Sequence, residues 1–412
     1  MRPLLLLALL ASTVVAEPRW WKGNTHAHTL WSDGNDFPEM VVDWYVKHGY
    51  HFLALSDHNI VADHEKWMPM KTIVSRARGK HAYAKYRERF GGDWVEIRKK
   101  DDKQQVRLKT LDEFRPLFEK SGEFLLIRGE EITDRFEKHE IHINAVNLKS
   151  KIKPQHGKSV RETIRNNLLA IREHERKTGQ PVLAHVNHPN FRWSLTAEDL
   201  AHVLEEEFFE VYNGHPSVHS FGKGVRAGVE RLWDIANTIR LGELKAPPLL
   251  GVATDDSHQY HGGNTSPGKG WIMVRAGELS ADALIAAMRK GDFYASTGVV
   301  LRDVRFADGT LTIEIERDDN AQFETRFYGT LKGYDATSRP TVDNNGNEVK
   351  TTRTYSGDVG RVLAVKQGRR VSYRLTGQEL YVRATITSTR TVENPTYKDQ
   401  VKQAWTQPVG WR

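Results

Sequence analysis

Imidazoles and carboxylates gather in short phrases at the ends of apolar runs in this chain. His26-Ala27-His28 is followed by Ser32-Asp33-Gly34. Ser56-Asp57-His58, Gly129-Glu130-Glu131, Ile141-His142-Ile143, Asn187-His188-Pro189 and Asp256-Ser257-His258 come later. Two residues apart on a strand, His26 and His28 point to one face and offer two ring nitrogens to one ion. Asp33 adds an oxygen from the adjoining loop. Asp256 and His258 make a similar offer, with Asp255 the alternative to Asp256. Glu130 and Glu131 side by side repel unless a cation neutralises them. Glu131 is the expected bridging carboxylate, and Glu130 is expected to be exposed or behind it. Asp57 is placed to set the tautomer of His58. Alternation puts His142 and Asn144 on one face. His188 is favoured as a ligand over His185, a buried neighbour, while His139 is expected to be solvated. Tyr212, Asn213 and His215 end another strand and are candidates to position substrate. Arg128 and Lys269 are candidate phosphate contacts.

The chain has no cysteine. Disulfides are therefore excluded, and any metal is held by nitrogen and oxygen, a donor set that suits Zn, Mn or Fe. A formal net charge of +7 favours anionic substrates. No G-x-S-x-G elbow and no glycine-rich phosphate loop occurs, which argues against serine hydrolysis and nucleotide-driven chemistry. Residues 1–16, with Arg2 before the apolar stretch Leu4 to Val15, read as a secretory signal. The expected protein is secreted or periplasmic, with no membrane span once the signal is cleaved.

Strands are expected at Lys22–His26, His51–Ser56, Glu123–Arg128, Ile141–Asn147, Pro181–Val186, Phe208–Tyr212, Leu249–Ala253 and Trp271–Arg275. Helices are expected at Pro38–His48, Ser159–Lys177, Thr196–Leu204, Arg226–Arg240 and from Ser280 to Lys290. Pro38 suits a first helical position, and Ser159…Glu162 and Thr196…Asp199 are capping-box spacings. This alternation predicts parallel strands, closed into a TIM-like barrel with the site at the strands' C-terminal ends. Residues 71–109, basic and aromatic, read as an insertion over the mouth. After Gly298 the helices stop, and strands at Arg305–Glu316, Thr325–Gly333 and Leu380–Ser388 imply a small all-β region.

The series His26-x-His28, Asp33, Asp57-His58, Glu131, His142, His188 and Asp256-x-His258 resembles the PHP (polymerase and histidinol phosphatase) metallohydrolase family. Phe293–Gly298 and Ala404-Trp405-Thr406-Gln407-Pro408 are similar to its carbaryl-hydrolase-like branch. The likeness spans the whole chain after residue 16 apart from the insertion. It implies an α/β fold: a distorted (β/α)7 barrel over residues 17–300, then a sandwich-like β domain over 301–412. It also implies two or three divalent ions held by His26, His28, Asp33, His58, Glu131, His142, His188, Asp256 and His258. A metal-bridged water held by Glu131, Asp256 and His58 is then the expected nucleophile. Asn187 stands where many relatives have a small residue, which leaves His185 open beside His188.

The expected activity is phosphoester hydrolysis of small anionic substrates. Oligonucleotides are included, through 5'–3' exonuclease-like cleavage, if the basic insertion and its tyrosines grip a strand. Carbamate, ester or amide hydrolysis is the alternative. A non-catalytic secreted protein binding glycans or surfaces is the alternative of another class.

Overall fold

The computed structural model describes residues 17–79 and 81–412, so the signal expected at 1–16 lies outside the described residues. One mixed sheet of thirteen strands organises the chain. We number them β1 (Arg19–Asn24), β2 (Phe52–Leu55), β3 (Leu125–Phe136), β4 (His139–Val146), β5 (Leu183–Val186), β6 (Phe208–Asn213), β7 (Leu250–Thr254), β8 (Trp271–Ala276), β9 (Phe293–Ser296), β10 (Phe323–Leu331), β11 (Arg361–Gln367), β12 (Glu379–Thr391) and β13 (Val401–Thr406). Their spatial order is β7-β6-β5-β4-β3-β2-β1-β8-β9-β13-β12-β10-β11. From β1 to β7 spatial order follows chain order. Beyond them the chain returns to its start: Ala27, after β1, bridges Ser257, after β7. His28 N donates to Ser257 O at 2.9 Å, and Asp256 N to His26 O at 3.1 Å. This seam sits among the candidate ligands.

The uniformly parallel arrangement expected from the strand–helix rhythm is corrected at β4. Only Glu137 and Lys138 separate β3 from β4, and a two-residue connection forces a hairpin. β4 is antiparallel to both β3 and β5, whereas β1–β2, β2–β3, β5–β6 and β6–β7 are parallel. Instead of ending near Arg128, β3 runs to Phe136 and carries Glu131 in mid-strand. Alternation sends Glu131 to the inner face and Glu130 to the other.

Four helices back the strands: α1 (Pro38–Lys47), α2 (Val160–Thr178), α3 (Val229–Thr238) and α4 (Ala281–Lys290). Pro38 opens α1, Ser159 caps α2 through Glu162 N, and Thr196 and Asp199 form a reciprocal capping box on the helix Ala197–His202. At α2 the box is only half made, because Glu162 accepts from Lys158 N rather than from Ser159. Ile132, Ile143, Val186, Phe209, Leu232 and Trp233 pack between strands and helices.

The C-terminal strands continue the same sheet, because β9 pairs with β13. The strand expected over Arg305–Glu316 is a hairpin, Leu301–Ala307 and Thr310–Ile315, turning at Asp308-Gly309. Arg383 of β12, fully buried, donates to both carboxylate oxygens of Asp234 on α3, at 2.8 and 2.5 Å. Gln407 donates to Gly251 O at 3.0 Å and accepts from Gly251 N at 2.8 Å, so its amide acts as a further strand residue beside β7.

The insertion comprises helices Met70–Arg76 and Ala82–Phe90 and a three-stranded sheet, Lys66–Pro69, Lys103–Leu108 and Ile97–Lys100. Its aromatics build a core instead of presenting a stacking platform. Tyr86 is fully buried, stacks on Phe37 at 3.9 Å and donates to Glu39 of α1, as does Trp94. Among the described residues no helix is long and apolar enough to cross a membrane.

Candidate metal centre

Nine residues expected as ligands converge. Four overlapping groups place their donor atoms within 4.8 Å of one another: His28, Asp33, His58 and His258; His26, Glu131 and His188; His26, His28 and Asp256; His58, Glu131 and His142. Glu131 stands in two of these groups. Its Oε1 lies 3.0 Å from His142 Nδ1, 3.3 Å from His188 Nε2 and 3.5 Å from His26 Nε2, and its Oε2 lies 3.5 Å from His28 Nε2. Asp256 Oδ1 is 3.2 Å from His28 Nε2 and 3.3 Å from His26 Nε2. Asp33 Oδ2 is 3.4 Å from His258 Nε2 and 3.7 Å from His58 Nε2.

These donors fit divalent cations. Ligands bonded at ~2.1 Å to one ion stand roughly 3–3.5 Å apart, which is the spacing seen. His26 Nε2, His28 Nε2 and His142 Nε2 are buried and have no hydrogen-bond partner. Each such atom costs about 1–3 kcal/mol unless something meets it. Burial disfavours charge on Glu131, but His58, His26 and His142 outweigh it and hold the carboxyl well below its usual range. Burial lowers His28 to about 4, with His258 and His58 adding to the effect, so its ring is neutral and free to ligate at pH 7.

A surrounding layer aims these ligands. His26 Nδ1 donates to Glu210 Oε1 at 2.6 Å, leaving Nε2 for an ion. Glu210 also accepts from Thr254, His188 N and Asn213. Asn213 donates in addition to Asp256 Oδ2, and Asn187 to Glu131 Oε1 at 2.8 Å. His188 and Asp256 both have positive φ, 26° and 48°, in the strained conformations that cluster at functional sites.

Other expectations are corrected. Asp57 does not set the His58 tautomer; it accepts from Thr29 N, Thr29 Oγ1, Ser32 N and Ser32 Oγ, folding the loop that carries Asp33. His58 Nδ1 instead faces Thr133 Oγ1 at 2.6 Å. Glu130 is fully buried on the outer face, accepts from Ile152 N and is pushed up to about 7 by burial. By contrast, His185 is buried as expected, with its Nε2 3.0 Å from Thr25 Oγ1 and outside the four groups. Asp255 accepts from Gly268, Lys269 and Gly270 N and from Tyr45, a structural role. Tyr212 turns to Thr396 and Gln400 and stacks on Trp405. Arg128 is held by Asp112, Lys269 by the carbonyls of Asn264 and Pro395, and the ring of the buried His139 by Ser194 O.

Glu210 was missed because it lies inside the apolar run Phe208–Tyr212 and its partner His26 comes from a distant part of the chain. Asn187 and Thr133 were missed as orienting groups for the same reason: each reaches a residue from another strand.

No family model and no curated protein matches the chain. Among solved structures, a two-domain protein of Bacteroides vulgatus containing a predicted PHP-like metal-dependent phosphoesterase is 16% identical at a TM-score of 0.41, covering 95% of this chain and 96% of that one. A Bifidobacterium adolescentis chain assigned as a metal-dependent phosphoesterase is 16% identical at a TM-score of 0.28, covering 60% and 90%. At those scores the superpositions are too loose to transfer chemistry. The fold and site define an α/β protein with a clustered His/Asp/Glu centre at the seam of its sheet, and that geometry must carry the functional conclusion.

Proposed function

We propose that this chain is a metal-dependent hydrolase of the PHP type, a phosphoesterase acting on small anionic esters, on a ring of seven strands that forms a distorted barrel. The observation that carries it is the convergence on Glu131 and Asp256 of imidazoles from β4 and the loops after β1, β2, β5 and β7. Two or three divalent ions, Zn, Mn or Fe, fit this donor set. Once bound, they supply Lewis acidity and lower the pKa of a water to near neutrality.

The chain's own residues do the rest. Glu210 holds His26 in one tautomer, and Asn187 and Asn213 keep Glu131 and Asp256 aimed. His215 lies at the edge of the cluster, its ring 5.7 Å from that of His258. Its Nδ1 accepts from Ser217 N at 3.1 Å, so the neutral ring carries its proton on Nε2. Burial keeps it below the ordinary histidine range and therefore neutral. We assign that Nε2–H as a hydrogen-bond donor that stabilises charge on the leaving oxygen, which takes its proton from solvent. The buried insertion aromatics speak for small substrates over oligonucleotides, and the apolar stretch in residues 1–16 supports secretion.

The test compares bis-p-nitrophenyl phosphate, p-nitrophenyl phosphate and 1-naphthyl methylcarbamate on protein reconstituted with Zn, Mn or Fe. Phosphoester turnover abolished by chelator is expected. Carbamate cleavage without phosphoester cleavage would overturn the assignment in favour of carbon-centred hydrolysis.

A further inference from the structure

We propose that Arg76 and Arg78 of the insertion form a subsite for a second anionic group, so that the preferred substrate carries a phosphate or carboxylate remote from the reacting ester. This inference rests on the hydrolase assignment above.

A cavity of about 490 Å³ opens beside the metal centre. Asp33 and His258 line it on the ligand side, His215 and Ser217 from the loop after β6, and Arg76 and Arg78 from the insertion. The volume suits a small molecule. Three other arginines of the insertion are neutralised: Arg89 pairs with Asp43, Arg98 with Glu65, and Arg107 with Glu96 and Glu113. Among the described residues neither Arg76 nor Arg78 makes an ion pair. Arg76 donates to Ser32 O, which fixes its guanidinium to the loop that carries Asp33. Arg78 is exposed, and it and Gly79 take positive φ, 52° and 70°, ending the helix Met70–Arg76 at the cavity.

The cavity thus has two ends of different chemistry. One end has carboxylates and imidazoles arranged for cations and the reacting group. The other has two guanidinium groups without a carboxylate partner, both of them donors. Guanidinium forks match carboxylate and phosphate oxygens in pairs. A monoanionic ester engages only the first end. A substrate with a second anion spans both.

The test is binding, independent of turnover. Phenylphosphonate, 4-carboxyphenylphosphonate and 1,4-phenylenediphosphonate are titrated by calorimetry into the metal-loaded wild type, R78A and R76A/R78A. In the wild type, at least one of the two second-anion ligands is expected to bind about tenfold or more tighter than phenylphosphonate. Which one gains tells phosphate from carboxylate. R78A shrinks the advantage and R76A/R78A removes it, while phenylphosphonate affinity stays within about twofold. Equal wild-type affinity for all three ligands, or an advantage that survives in R76A/R78A, overturns the proposal. Turnover of the matching aryl phosphates is measured in parallel: no turnover with the binding preference intact counts against hydrolysis alone.

Discussion

His26 and Glu210, 184 positions apart, meet at 2.6 Å inside the molecule, both side chains fully enclosed. The carboxylate holds the ring by Nδ1 and turns Nε2 toward Asp256 and Glu131. Removing such a partner typically weakens a metal site about 10–100-fold. Glu210→Gln is therefore expected to lower metal affinity by that range, read by chelator competition, while the fold is retained. Unchanged affinity would show that Glu210 does not orient a ligand.

Metal removal should cost stability as well as activity. At an ion concentration about a hundred times Kd, binding adds roughly 2.7 kcal/mol to the folded state. Chelator should lower the melting temperature by several degrees, and Zn or Mn should restore it. A melt indifferent to chelator would argue that the cluster holds no ion.

His215→Ala removes an N–H that stabilises charge on the leaving oxygen, and should leave metal content unchanged and lower kcat by about 100-fold for esters with alkoxide leaving groups. The loss should be much smaller with p-nitrophenoxide, which spreads its charge over the ring and leaves less on the oxygen. A loss independent of the leaving group would show that His215 does not stabilise the leaving oxygen.

Arg383 and Asp234 tie β12 to α3. Arg383→Ala leaves Asp234 buried without its partner and is expected to destabilise by about 3–5 kcal/mol, measured by urea denaturation. A loss under about 1 kcal/mol would mean that water reaches Asp234.

Glu39 is fully enclosed, and burial pushes its carboxyl from 4.5 up to about 7. The raised folded-state value means that folding favours the protonated form. Its contribution is complete below about 4.5 and is lost as pH rises through about 7, reaching roughly 3 kcal/mol. Glu39→Gln, which cannot ionise, should equal the wild type near pH 4.5 and exceed it at pH 9 in thermal melts. Identical pH profiles for the two would refute this account.

The candidate ligands were legible in the sequence because metal chemistry demands particular side chains, and local spacing shows which of them share a strand or loop. His26-x-His28 and Asp256-x-His258 are such pairs, and the capping residues of α2 and the helix Ala197–His202 were equally local. Tertiary structure alone decided the rest. The two-residue turn at Glu137-Lys138 reverses β4, so His142 meets Glu131 from a hairpin partner. Tyr212, beside Asn213, turns to Gln400 and the C-terminal strands, while Asn213 serves the metal centre. Gln407 completes the edge of β7 from 156 positions away. Side-chain type is a property of one residue, but orientation and partnership belong to pairs brought together by sheet order, and no spacing along the chain encodes that order.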